Sequence, residues 1–126
     1  MIKSLHISNY ALLKEVIIHF QDGFTVVSGE TGAGKSIMLD ALSLLLGKRV
    51  EHFSTNENTP KSSIEGVFTI DNSKKQFFTD NDLDFETETV VRREINQKGK
   101  SRAFINDTPV LLQVLTAFGK QILEIY

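Results

Sequence analysis

Gly29-Glu30-Thr31-Gly32-Ala33-Gly34-Lys35-Ser36 fills the pattern G-x-x-x-x-G-K-[ST] at every fixed position. Each residue type has a physical reason to stand there. Glycines at 29, 32 and 34 allow backbone conformations closed to other residues and let the chain approach an anion closely. Successive N–H groups can then form a nest for a β-phosphate. A helix starting near Lys35 aims its unpaired N–H groups and positive dipole end at the same anion. Lys35 adds an ammonium that can bridge the β- and γ-phosphates, and the Ser36 hydroxyl is a hard oxygen ligand suited to Mg²⁺. All eight residues are therefore candidate nucleotide-binding positions, with Ser36 also the candidate metal ligand.

Working outward, the context fits. Residues 24–27 (Phe-Thr-Val-Val) read as a short β-branched strand before the loop. Residues 35–46 read as a helix apolar on nearly every side, closed by Gly47 as a C-cap. Residues 2–8 alternate apolar and polar, which predicts a strand, with a bend at Asn9 and Tyr10 and a second strand over 15–20. Residues 51–61 are polar and read as a loop. Residues 63–70 alternate again as a strand, and 73–82 read as a short helix. Strands are expected over 87–95 and 101–106, joined by Asn96-Gln97-Lys98-Gly99. A symmetric turn there places Arg93 opposite Arg102, Val91 opposite Phe104 and Val90 opposite Ile105. Residues 109–118 read as a helix with Pro109 at its first position and Asp107 or Thr108 as N-cap. Residues 121–126 read as the start of another strand. The whole chain, 1–126, reads as one α/β unit.

Composition limits the alternatives. The chain has 126 residues, a formal net charge of −2 and no cysteine, which excludes a disulfide scaffold, a thiolate metal site and a cysteine nucleophile. Its strongest apolar stretch, residues 37–46, is broken by Asp40 and Ser43 and is too short to span a bilayer, and no signal peptide is visible. A soluble cytoplasmic protein with no membrane partner is the expectation. Charge is uneven: residues 92–102 carry five basic side chains against one acid, just after an acidic run of Asp80, Asp82, Asp84, Glu86 and Glu88. Two facing arginines, Arg93 and Arg102, would need an anion between them, either the acidic run or a DNA phosphate. Arg49 suits either the C-terminal end of the preceding helix or DNA. His6, His19 and His52 lack metal-site spacing, Phe77-Phe78 reads as core, and Asp40 reads as a surface or supporting group.

Hydrolysis requires a carboxylate to hold Mg²⁺ and position water, typically at the end of another strand. No apolar run followed by Asp-Asp or Asp-Glu occurs in this chain. It is therefore expected to bind a nucleotide without turning it over, and no catalytic residue is assigned within it.

Residues 1–12 (Met-Ile-Lys-Ser-Leu-His-Ile-Ser-Asn-Tyr-Ala-Leu) and 23–42 resemble the opening of the RecN family of bacterial DNA repair proteins. So do Val91-Arg92-Arg93-Glu94-Ile95, residues 101–107 (Ser-Arg-Ala-Phe-Ile-Asn-Asp) and Pro109-Val110, with the Glu30-Thr31 variant of the loop characteristic. RecN proteins are similar to SMC ATPases, whose head is assembled from the two ends of a long chain. The resemblance implies a P-loop NTPase fold: the N-terminal lobe of an ABC/SMC-type ATPase head, with a mixed β-sheet packed on the P-loop helix. It implies ATP and Mg²⁺ as cofactors. It also implies three partners: a C-terminal lobe of the same protein, a second RecN-like head in a homodimer, and DNA during double-strand break repair and recombination. The chain departs from the family in lacking the glutamine loop, the coiled coil, the signature sequence and the acidic residues of the C-terminal lobe, and Tyr126 stands near where a histidine is usual. It reads as a fragment. Alternatives are a RecF or other SMC-like head, a small P-loop nucleotide kinase using Arg92 and Arg93 in a lid, and a non-enzymatic nucleotide sensor.

Overall fold

The computed structural model describes residues 2–10, 13–20, 32–49, 61–96 and 98–123. In chain order these form β1 (Ile2–Tyr10), β2 (Leu13–His19), α1 (Gly32–Leu45), β3 (Ser62–Thr69), a 3₁₀ turn (Asn72–Lys74), α2 (Lys75–Asp80), β4 (Glu88–Ile95), β5 (Ser101–Ile105), β6 (Thr108–Val110) and α3 (Leu112–Leu123). The strands make one six-stranded sheet in the order β2-β1-β3-β4-β5-β6. All five described pairings are antiparallel. The mixed character expected of the sheet turns on the strand read at 24–27, which lies outside the described residues, as does most of the polar loop at 51–61.

Alternation decides which face is buried. Leu5, Gly66, Val91 and Ile105 lie in register across four strands, and Ile7, Ile64, Arg93 and Ala103 form the next row on the same face. Apart from Gly66, each of these is at most 8% exposed. The opposite face carries His6, Glu65, Arg92 and Phe104 in register, a polar row suited to solvent. α1 packs on β3 and β4, and α3 packs by β5. Beside them Phe68, Phe77, Phe78, Phe85 and Phe118 form an aromatic cluster. Phe78 meets Phe85 edge-on at 5.2 Å and Phe118 edge-on at 6.2 Å. Phe77-Phe78 is core, as its apolar character implied.

Four sequence expectations change. Asn9 and Tyr10 continue β1 instead of bending away from it. Asn9 takes a φ of +54°, and its carbonyl accepts from the Ser62 hydroxyl. The β4–β5 hairpin is not symmetric: Asn96 N–H donates to the Lys100 carbonyl and Gly99 N–H to the Asn96 carbonyl, with Gly99 at φ +83°. This odd, three-residue connection is stabilised by the Asn96 side chain, which accepts from the N–H groups of Lys98 and Lys100. The register therefore moves by one, so that Arg93 faces Ala103 and Arg102 faces Glu94.

The helix expected at 109–118 begins later. Asn106 and Asp107 both have positive φ (48° and 66°), so the chain reverses in two residues and returns as β6 beside β5. Pro109 is accommodated because β6 is the sheet's edge and its missing N–H deprives no neighbour. Finally, residues 121–123 are the last turn of α3 and not a strand; Leu115, Phe118 and Ile122 give that helix one buried apolar stripe.

Candidate nucleotide site

Gly32, Ala33, Gly34, Lys35 and Ser36 are the first five residues of α1, a 14-residue helix, and Gly29, Glu30 and Thr31 lie outside the described residues. The helix thus opens inside the motif, three residues earlier than expected. The first four N–H groups of an α-helix have no partner within it, which makes a helix start of this kind suited to an anion. The donor chemistry fits Mg²⁺·ATP: backbone amides and a lysine ammonium for phosphate oxygens, and a serine hydroxyl for a hard cation.

The far end of α1 is held from three directions. Gly47, at φ +110°, forms a Schellman cap in which its N–H donates to Leu44 O at 3.2 Å and Lys48 N–H donates to Ser43 O at 3.0 Å. This bears out Gly47 as the helix stop. From the sheet, Arg93 Nη1 donates to Leu44 O at 2.7 Å and also to Lys48 O, while Nη2 reaches the Ser101 hydroxyl at 3.2 Å. From α3, Thr116 and Gly119 press against Gly47 and Leu46. At Leu45, the last residue of α1, a Cβ on Gly66 of β3 would lie 2.5 Å from Leu45 Cδ2, so the absent side chain lets this end of the helix settle on the sheet. Asp40, exposed on α1, lies near enough to Tyr10 that its charge, after burial, is the second cause holding the Tyr10 pKa above the ordinary tyrosine value.

Arg93 is 1% exposed and bonded to helix carbonyls, so it cannot serve as a DNA contact and is withdrawn from that role. Nor does the acidic run neutralise it. Of that run, Glu88 pairs with Lys3 and Asp80 accepts from Gln76. Arg93 is a buried cation at the end of α1, and Arg49, just past the cap, is exposed. A signal existed: Arg93 lies between Val91 and Ile95 on one strand face. Arg102 remains on the polar face, exposed. Near it Lys61, Asn96, Lys98 and Lys100 line a shallow depression at the hairpin end, with Lys61 paired to Glu94 at 3.2 Å. Arg92 bridges Glu94 (3.3 Å) and Asp107 (3.2 Å) and lies 4.3 Å over the Phe104 ring. With Arg93 buried and Arg92 tied down, neither is a lid arginine, so the small-kinase reading loses the lid residues it would need. Among the described residues no group of three or more His, Asp or Glu side chains could hold a metal, and no helix is long and apolar enough to cross a membrane.

A phosphate-loop motif opening a helix that lies on an antiparallel sheet defines a class, the P-loop domain, here with a fold like that of SMC heads. A family model described as an AAA domain matches residues 4–124, and the chain belongs to that family. The SMC head domain from Thermotoga maritima has the same fold, with a TM-score of 0.67 and 24% identity, covering 93% of this chain and 41% of that one. RecF bound to an ATP analogue gives a TM-score of 0.67 at 15% identity, over 91% and 29% of the two chains. More particularly, the chain is similar along its whole length to the N-terminal region of the DNA repair protein RecN. RecN of Vibrio cholerae is 37% identical over 128 residues, which is 100% of this chain and 23% of that protein. RecN of Bacillus subtilis is 35% identical over 129 residues, 100% of this chain and 22% of that protein. The chain thus spans less than a quarter of the length of these relatives.

Proposed function

We propose that this chain binds Mg²⁺·ATP at residues 29–36 as the N-terminal lobe of a RecN-like ATPase head acting in double-strand break repair and recombination. The observation that carries the reading is the coincidence of a complete phosphate-loop motif with the start of α1 at Gly32. Lys35 would contact the β- and γ-phosphates. Ser36 would ligate Mg²⁺, which when bound neutralises phosphate charge and orients the γ-phosphoryl group. The chain's own share is to bind and orient the nucleotide. The carboxylate that positions water would come from a C-terminal lobe, and a second head would complete the sandwich around ATP. One solved relative is described by its ATP-driven dimerization and DNA-stimulated activation, which supports a homodimer and a DNA partner here. Arg102, with Lys98 and Lys100, supplies the basic hairpin end for DNA phosphates. A cytoplasmic location, with the nucleoid as the place of action, follows from this role.

Phosphate release tests the division of labour. The chain alone should show none above background with Mg²⁺·ATP, and adding a separately produced C-terminal lobe should restore it. Release by the chain alone that disappears in Ser36→Ala would contradict the proposal.

A further inference from the structure

Arg93 places a full charge on the apolar face of the sheet, in the row of Ile7, Ile64 and Ala103. A buried charge persists only when partnered, and an apolar replacement of similar volume is often at least as stable. The partners here are unusual for an arginine. They are the carbonyls of Leu44 and Lys48 and the hydroxyl of Ser101, with no carboxylate partner among the described residues. The charge is therefore compensated by the C-terminal end of α1, where the helix dipole is negative. Burial holds the Arg93 pKa below the ordinary arginine value, as expected of a cation met by dipoles alone. Its Nε is buried and without a hydrogen-bond partner among the described residues, a cost the other two nitrogens must offset.

The planar fork spans the cap. Nη1 takes two carbonyls four residues apart, on either side of the Gly47 turn, and Nη2 reaches across to β5. We propose that Arg93 is a positioning residue for the nucleotide site, acting through α1. By fixing the last turn of the helix against β4 and β5, it fixes where the first turn, with Lys35 and Ser36, stands relative to the sheet. The helix is a rod of about 20 Å, so a tilt at one end becomes a displacement at the other, and small displacements of positioned groups are costly. The inference rests on the nucleotide reading above and adds to it a residue remote from the phosphate loop.

The test uses the 126-residue chain as wild type, Arg93→Met, Arg93→Lys, Ser101→Ala and Lys35→Ala. Phe78→Leu serves as a control that loosens the aromatic cluster instead of the end of α1. Calorimetry gives the Mg²⁺·ATP affinity at a temperature where circular dichroism shows each variant folded, and hydrogen exchange follows residues 32–36. Arg93→Met and Arg93→Lys should bind ATP about five- to tenfold more weakly and exchange faster at 32–36. Lysine keeps the charge but cannot span both carbonyls and Ser101, so it should not restore affinity. Phe78→Leu should melt lower and bind ATP as wild type does. If Arg93→Met does not fold, Arg93→Lys and Ser101→Ala decide, the latter with a loss of about twofold. Arg93→Lys and Ser101→Ala binding as tightly as wild type, with unchanged exchange at 32–36 while Lys35→Ala loses affinity, would overturn this inference and leave the nucleotide reading standing. A wild type that binds no ATP would overturn both.

Discussion

Gly119 of α3 lies so close to Leu46 that a Cβ there would stand 2.5 Å from the Leu46 carbonyl oxygen. Backbone cannot swing aside as a side-chain tip can, so this glycine sets how closely α3 approaches the end of α1. Gly119→Ala gains helix propensity of up to about 1 kcal/mol but must push the two helices apart. We expect a net loss of about 1–3 kcal/mol in denaturant unfolding. A stabilised Gly119→Ala would show that the helices are not held this closely.

Gly47→Ala tests the cap itself. At φ +110° a side chain is strained, and its Cβ would meet Thr116 Oγ1 at 2.5 Å and Thr116 Cα at 2.8 Å. A loss of about 1–3 kcal/mol is expected from the backbone conformation alone. Urea unfolding should show a lower midpoint with an unchanged slope.

Stability at high pH should depend on Tyr10. Burial first, and the Asp40 charge second, raise its pKa above 10.0 in the folded chain. The sign follows: this contribution to stability is complete below the unfolded value and is lost as pH rises through and above it. Phenolate absorbance in a Tyr126→Phe background should therefore place Tyr10 above a free tyrosine, and Asp40→Asn should move it back down. Tyr10→Phe should unfold less steeply with pH above that value.

Much of the fold was legible because its signals are local. Alternation over residues 2–8 and 63–70, and the Gly47 stop, each depend on few neighbours. What was missed depends on partners. Val90 and Val91 are adjacent and both apolar, so the face of β4 was fixed only by the odd hairpin loop that Gly99 and Asn96 close. Pro109 suits a helix start and an edge strand equally, and the positive φ of Asn106 and Asp107 decides for the strand. That a helix opens within the Gly-Lys-Ser motif was legible from the motif itself. Arg93 was not, since its compensating carbonyls lie 45 and 49 residues away along the chain.

With Arg93 buried, DNA binding by the assembled head should respond to Arg102 alone of the original pair. Arg102→Ala should lower the slope of log affinity against log salt by about one phosphate contact, roughly 0.9, with little change in folding. An unchanged slope would remove Arg102 from the DNA surface.

The most direct measurement is a calorimetric titration of the 126-residue chain and its Lys35→Ala variant with ATP in the presence of Mg²⁺. Loss of the loop's ammonium should weaken binding by about 1.5–3 kcal/mol, the scale of a hydrogen bond to a charged group. Equal ATP affinity in the two proteins, or no binding by either, would contradict the assignment of residues 29–36 as the nucleotide site.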